Sequence, residues 1–319
     1  MLLVIFGFFL PCRVCEQNAM LHLTAQLKGF KAFLLLERSF SGNSIDAYMS
    51  DVDKLTRFLT TDYPDVNLPD ITLQHLTLFL DYLAHLGIAT ASRARITSGI
   101  KTFFRYLIIE GMLTQNPSEL LEAPRITQKV PAVLSLTEIE AMIAAIDLSK
   151  PDGVRTKAIV EVLYGCGLRV SELTELKISH YYPQLGFVRI EGKGKKERLA
   201  PINPTAVKHL NIYLNEVRSK QPILENAQDI VFLNQRGGKL SRVSVFTAIK
   251  QLAAAADIQK KVSPHTFRHS FATHLFEGGA DLRFIQDMLG HESITTTEIY
   301  AKADTQYVRD TLIQFHPRF

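Results

Sequence analysis

Residues 263–300 read SPHTFRHSFATHLFEGGADLRFIQDMLGHESITTTEIY, and the rest of the chain is best understood outward from them. Ser263 before Pro264 is a helix N-cap followed by the residue that suits the first helical position, so a helix is predicted to begin there. His265 and Arg268 fall three apart, on one face of the first turn. Such a turn carries unpaired backbone N–H groups and the positive end of the helix dipole, so its natural guest is an anion such as phosphate. The guanidinium of Arg268 adds a planar fork matched to two phosphate oxygens. Gly278 and Gly279 close this helix, and Gly290 is expected to cap a second one that buries Leu282, Ile285 and Leu289. His291 follows that cap, and Ser293 is expected to open a short turn that ends at Tyr300.

Two upstream stretches have matching chemistry. In Tyr164-Gly165-Cys166-Gly167-Leu168-Arg169-Val170-Ser171-Glu172-Leu173, the glycines are expected to break a helix over Asp152–Leu163. A new helix would then start close to Arg169, with backbone that a ligand can approach. Phe187–Ile190 alternates like a strand, Gly192-Lys193-Gly194 is turn chemistry, and Glu197–Pro201 reads as the return strand. Lys193 then rides on a hairpin tip, with Lys195 and Lys196 as rivals beside it.

His265-Thr266-Phe267-Arg268, Leu289-Gly290-His291 and Tyr300, nine residues after that histidine, together with Arg169 and Lys193 upstream, resemble the signature of the tyrosine recombinase (phage-integrase) family. All six positions are filled in the family's order. The match runs from the amino-terminal part of the chain to His316-Pro317-Arg318 and is nearest to the XerC/XerD branch. The resemblance implies a mainly α fold with a small β-sheet or hairpin in the catalytic domain, arranged as a two-domain, C-shaped clamp on DNA. It divides the chain into an extension over 1–19, a helical SAM-like core-DNA-binding domain over 20–123, a linker over 124–134 and a catalytic domain over 135–319 ending in an exchange helix.

The same resemblance implies roles. Tyr300 is the nucleophile, with Tyr307 its competitor, and Arg169 and Arg268 hold the non-bridging phosphate oxygens. Lys193 protonates the departing 5′ oxygen. His265 accepts the tyrosyl proton and His291 bonds phosphate, two roles the sequence allows to be exchanged. An unperturbed tyrosine has a pKa of about 10, so neighbouring cations have to favour its phenolate. The product is a 3′-phosphotyrosyl link and a free 5′-hydroxyl, so no ATP, metal ion or other cofactor is implied. Implied partners are duplex DNA carrying a dif-like site, a XerC-like paralogue in a tetramer on that DNA, and the FtsK translocase.

Bulk properties agree without deciding. The 319 residues are 46% hydrophobic, enough for two domains, and the net charge of +4 suits a nucleic-acid partner only through its placement. The three cysteines Cys12, Cys15 and Cys166 make no disulfide framework, which points to a reducing cytosol. Cys12-x-x-Cys15 lacks the second ligand pair of a zinc site. The apolar run Leu2–Leu10 is too short to span a bilayer and has no basic residue ahead of it. It reads as an upstream start before Met20 or a loose extension, with a membrane tether as the alternative.

In the amino-terminal half, helical periodicity covers Leu21 to Leu36, a helix after the Ser41–Ser44 cap, Leu73–Leu86 and Thr90–Ile108. Ile45, Tyr48, Val52, Leu55 and Leu59 form one buried stripe, and Ile96, Ile100, Phe103 and Leu107 another. Arg93, Thr97, Lys101 and Arg105 line up at four-residue spacing as a stripe able to track a phosphate backbone, or as an ordinary solvated face. By resemblance this helix and the second one, with Asn43 as a candidate DNA-binding residue beside Arg93, Thr97, Lys101 and Arg105, face the DNA grooves. Pro124–Pro131, with Arg125 and Lys129, reads as an extended linker.

Farther on, Thr137 and Glu140 are expected to form a capping box, Ile230–Leu233 a strand, and Pro204–Val217 and Ser241–Ala256 helices. Asp304 is expected to cap a last helix with Val308, Leu312 and Ile313, which has little to bury against in its own domain and by resemblance docks on a neighbour. Other functions compatible with parts of the pattern are a mobile-element integrase, a non-catalytic DNA-binding protein, and a metallohydrolase built on His265, His269 and His274.

Overall fold

A computed structural model describes residues 26–38, 40–126, 132–192, 197–290 and 302–319, with only the backbone for 302–307. The chain divides into two compact units, Met1–Lys129 and Val130–Phe319.

Among the described residues of the first unit the regular structure is helical: α1 (26–36), α2 (Gly42–Asp62), a 3-10 turn (Leu68–Asp70), α3 (Leu73–His85) and α4 (Thr90–Ile109). The hydroxyl of Ser41 accepts from the Ser44 amide and starts α2. Ile45, Val52, Leu55 and Leu59 of α2 then meet Ile96, Ile100, Phe103 and Leu107 of α4 in one core, with Phe30 edge-on to Phe103 at 5.1 Å. An ion pair lies inside this core. Asp51 is fully buried and accepts from both terminal nitrogens of Arg95, at 2.7 Å for Nη2. Residue 99 has to be glycine for this, since a Cβ there would come within 2.8 Å of Asp51 Oδ2.

Thr97 does not belong to a solvent-facing stripe. It is 1% exposed and its hydroxyl bonds back to the Arg93 carbonyl at 2.9 Å. A four-residue step advances a helix by 40° more than a full turn, so positions 93, 97, 101 and 105 do not share one face, and Thr97 falls among the buried residues with Ile96 and Ile100.

The second unit is centred on α6 (Pro151–Cys166), whose residues from Ala158 to Cys166 are all buried. A helix apolar on every side is a core helix, and α8 (Pro204–Ile212) and α10 (Pro264–Gly278) pack on it. Around them stand α5 (Leu136–Ala144), α7 (Val170–Thr174), α9 (Arg242–Ala255), α11 (Leu282–Leu289) and α12 (Lys302–Phe315). A three-stranded antiparallel sheet has the order β1 (Tyr181–Tyr182), β2 (Phe187–Glu191), β3 (Glu197–Pro201), and Ile190 pairs with Arg198.

Several expectations are corrected here. The capping box is Ser135 with Glu138, two residues earlier than expected, because Ser135 has the extended backbone of an N-cap and exchanges bonds with Glu138, its hydroxyl accepting the Glu138 amide, while Thr137 is drawn onto the same hydroxyl. Gly165 and Cys166 continue α6, and only Gly167, at φ 60°, breaks it. Ile230 and Leu233 form isolated bridges to Lys177 and Lys239 instead of a strand. The Pro204 helix ends at Ile212 and loosens into a π turn over Tyr213–Val217.

Leu282 is 55% exposed, and Met288 joins Ile285 and Leu289 in the core in its place. Side chains lean toward a helix's N-terminus, so a first-turn residue projects off its end. Helix α12 already runs from Lys302, so Asp304 lies inside it. This helix also finds partners in its own unit: Val308 and Leu312 are buried in the core and the backbone of Phe315 sits against Gly278, while Ile313 is 54% exposed. The residues after it are held too. His316 is 4% exposed among Tyr164, Phe271 and Phe319, and Arg318 pairs with buried Glu161 at 3.0 Å.

Candidate active site

Helix α6 stops at Gly167 because the left-handed backbone there is open to glycine, and a Cβ would strike Phe271 at 2.6 Å. The chain turns and restarts at Arg169, the N-cap of α7. Three residues later Glu172 folds back, accepting the Arg169 amide on Oε2 at 2.8 Å and its Nη1 on Oε1 at 2.9 Å.

Arg268 arrives from the second turn of α10, started as expected by Ser263 and Pro264. Its Nη1 donates to the Gly167 carbonyl at 2.8 Å and its Nη2 to the Leu289 carbonyl. Those carbonyls are at the C-terminal ends of α6 and α11, where unsatisfied acceptors and the negative end of the dipole favour a cation. Gly290, at φ 68°, caps α11, and its own carbonyl accepts from Arg169 Nη2 at 3.1 Å. The two arginines, about a hundred residues apart in sequence, therefore meet on one carboxylate, with Arg268 Nη1 3.8 Å from Glu172 Oε2.

The Glu172 side chain is 5% exposed and that of Arg268 9%, whereas Arg169 at 38% opens to solvent. Burial first, then the charges of Arg169 and Arg198, lower the Arg268 pKa to about 10, partly offset by Glu172. The group is still cationic at neutral pH. Two guanidiniums oriented this way, one with free N–H groups facing solvent, form a site for a tetrahedral dianion or a phosphodiester.

Residues 132–307 match the phage integrase family, and residues 27–111 match the phage integrase N-terminal SAM-like domain. The chain belongs to the phage integrase family. As a member it is a tyrosine-type site-specific recombinase. It is 39% identical to the tyrosine recombinase XerD of Chlorobaculum tepidum over 92% of this chain and 96% of the relative. It is 38% identical to XerD of Listeria innocua over 91% and 97%. Among solved structures, the XerH site-specific recombinase bound to palindromic difH substrate, a post-cleavage complex, shares the fold with a TM-score of 0.68, at 22% identity over 92% of this chain and 88% of that one.

Of the six signature positions of a phage integrase, Arg169, His265 and Arg268 are described, and Lys193, His291 and Tyr300 lie outside the described residues. His265, in the first turn of α10 and three residues before Arg268, is exposed. The histidines of the metal reading do not gather: His274 is taken by the Tyr164 hydroxyl at 2.7 Å, and among the described residues no cluster suits a metal ion. In the first unit, Asn43 and Arg105 are exposed, Arg93 is half-buried, and Lys101 donates to the Glu119 carbonyl at 3.2 Å. Thr97 drops out of this group.

Two members of the recombinase site were not singled out in the sequence. Glu172 stands three residues after Arg169, the spacing at which a carboxylate reaches back to an N-cap amide, and that was the available signal. Arg198, on β3, donates to Glu172 Oε2 at 2.9 Å. Nothing local in the sequence distinguishes it from the other basic residues of the hairpin.

Proposed function

We propose that this recombinase acts as a XerD-type enzyme at a dif-like site, cutting and rejoining duplex DNA through a 3′-phosphotyrosyl link carried by Tyr300. The observation that supports the reading most is the shared carboxylate of Glu172, which orients Arg169 and Arg268 toward one place. A phosphodiester resists attack because it is anionic and its leaving alkoxide is poor. Two preorganised guanidiniums answer the first difficulty by stabilising the charge that builds in the pentacoordinate transition state.

In the proposed step the Tyr300 oxygen bonds to phosphorus and gives its proton to His265. The bond from phosphorus to the 5′ oxygen breaks, and Lys193 protonates that oxygen. His291 bonds a non-bridging oxygen. One phosphoester replaces another, so a 5′-hydroxyl from a second duplex reverses the reaction without ATP. Two duplexes exchanged strand by strand need four protomers, and the proposed assembly is a tetramer shared with a XerC-like paralogue, activated by FtsK and resolving chromosome dimers in the cytoplasm. Asn43, Arg93, Lys101 and Arg105 are the proposed contacts of the amino-terminal unit with DNA.

The decisive experiment uses a nicked suicide substrate carrying a dif-like half-site. Tyr300→Phe should bind it as tightly as the unaltered chain and form no covalent adduct, whereas an adduct in that variant overturns the assignment. Lys193→Ala should cleave slowly and recover on a substrate with a 5′-thio leaving group, which needs no proton.

A further inference from the structure

Glu172 presents a difficulty for a site that has to hold an anion. A buried carboxylate beside two phosphate-binding arginines cancels half of their charge, yet it is what orients them. The surroundings of its second oxygen resolve this. Oε2 receives Arg198 Nη2 at 2.9 Å, closer than Arg268 Nη1 at 3.8 Å. The Arg198 side chain is 12% exposed, against 38% for Arg169, so it is the more withdrawn from solvent of the two. Its Nε and Cδ fill the space above Gly290, where a Cβ would come within 2.9 and 3.1 Å of them. Gly290 is also the residue whose carbonyl holds Arg169.

We propose that Arg198 is a positioning residue for the recombination reaction: by taking up the charge of Glu172 and packing on Gly290, it leaves Arg169 and Arg268 oriented and uncompensated toward the scissile phosphate. With Arg198 in place, the three guanidiniums and one carboxylate carry two net positive charges. Without it, Glu172 is free to close on Arg268, and one net charge remains. Because Arg198 sits on β3, which begins four residues after Lys193 in the sequence, the same contacts tie that strand to the arginine pair.

This inference rests on the reading of Arg169 and Arg268 as phosphate ligands, and the test separates the two. Cleavage of the suicide substrate is measured with an ordinary scissile phosphodiester and with a methylphosphonate, which has lost one anionic oxygen and needs less cationic stabilisation. Arg198→Gln should slow the ordinary substrate by about tenfold or more while the methylphosphonate loses much less. The double variant Glu172→Gln/Arg198→Gln, which removes one charge of each sign, should regain part of the single variant's loss. Arg198→Lys should fall between the unaltered chain and Arg198→Gln, because it keeps the charge and loses the planar fork. Equal losses on both substrates, with no recovery in the double variant, overturn the proposal. Should Arg169→Ala also show no relief on the methylphosphonate, the phosphate-ligand reading itself fails. Relief for Arg169→Ala but not for Arg198→Gln removes only the role given to Arg198.

Discussion

The Gly167 carbonyl accepts Arg268 Nη1 at 2.8 Å, so the residue that ends α6 also anchors one of the two arginines of the site. Gly167→Ala tests this link. A left-handed non-glycine residue costs about 1–2 kcal/mol, and the clash of the new Cβ with Phe271 adds about 1–3 kcal/mol of overpacking. Thermal unfolding should report that loss. Cleavage at a temperature where the variant is still folded should fall further than binding, because the carbonyl moves with the backbone.

Glu172→Ala removes the partner of three guanidiniums, two of them largely buried. Breaking a buried ion pair from one side costs about 3–5 kcal/mol. Urea unfolding should show a loss of that order, with DNA affinity retained and covalent adduct formation reduced by about a hundredfold.

The acid limb of stability should carry the signature of His316. Burial, then the nearby His274 and Arg318, lower its pKa to about 3, below the ordinary value of about 6.5. The folded chain thus holds this ring neutral while the unfolded chain protonates it. Stability is unaffected above pH 6.5 and falls as pH drops from there toward 3, by about 1.4 kcal/mol per pH unit. His209, lowered to about 4 chiefly by burial, adds in the same direction. His316→Phe should flatten the decline between pH 6 and 4, read by unfolding at a series of pH values on the order of half a unit apart.

In the amino-terminal unit, Arg95→Met should destabilise more than Asp51→Asn. The first leaves a fully buried carboxylate with only Lys54, 3.8 Å away, for compensation; the second leaves an arginine that is 43% exposed and can reach water. Gly99→Ala should resemble Arg95→Met, because the added methyl displaces Asp51 Oδ2. Urea midpoints of the full chain, followed by the amino-terminal transition, check the order.

Much of this was legible in the sequence because local chemistry set it. Ser263-Pro264 started α10, Gly290 capped α11, and the period of α2 and α4 gave their buried faces. The signature placed Arg169 and Arg268 in one site, and the structure brings them onto Glu172. What could not be read depended on which neighbour each residue met. Thr97 and Leu282 fit their stripes by spacing, and tertiary packing moved one inward and left the other outside. Arg198 looked like any basic hairpin residue until β3 brought it to Oε2 of Glu172. The last helix was expected to need a neighbour, yet Gly278 leaves room for Phe315 and a ring of aromatics encloses His316.

The arginine pair is assembled from parts that a ribosome delivers far apart in time. Residues 167–172 emerge first, β3 follows, and Arg268 and the carbonyls of Leu289 and Gly290 come last. A nascent or prematurely terminated chain lacking the final stretch therefore holds Arg169 through Glu172 alone, without Arg268 or the Gly290 carbonyl, and has no arginine pair to offer a phosphate.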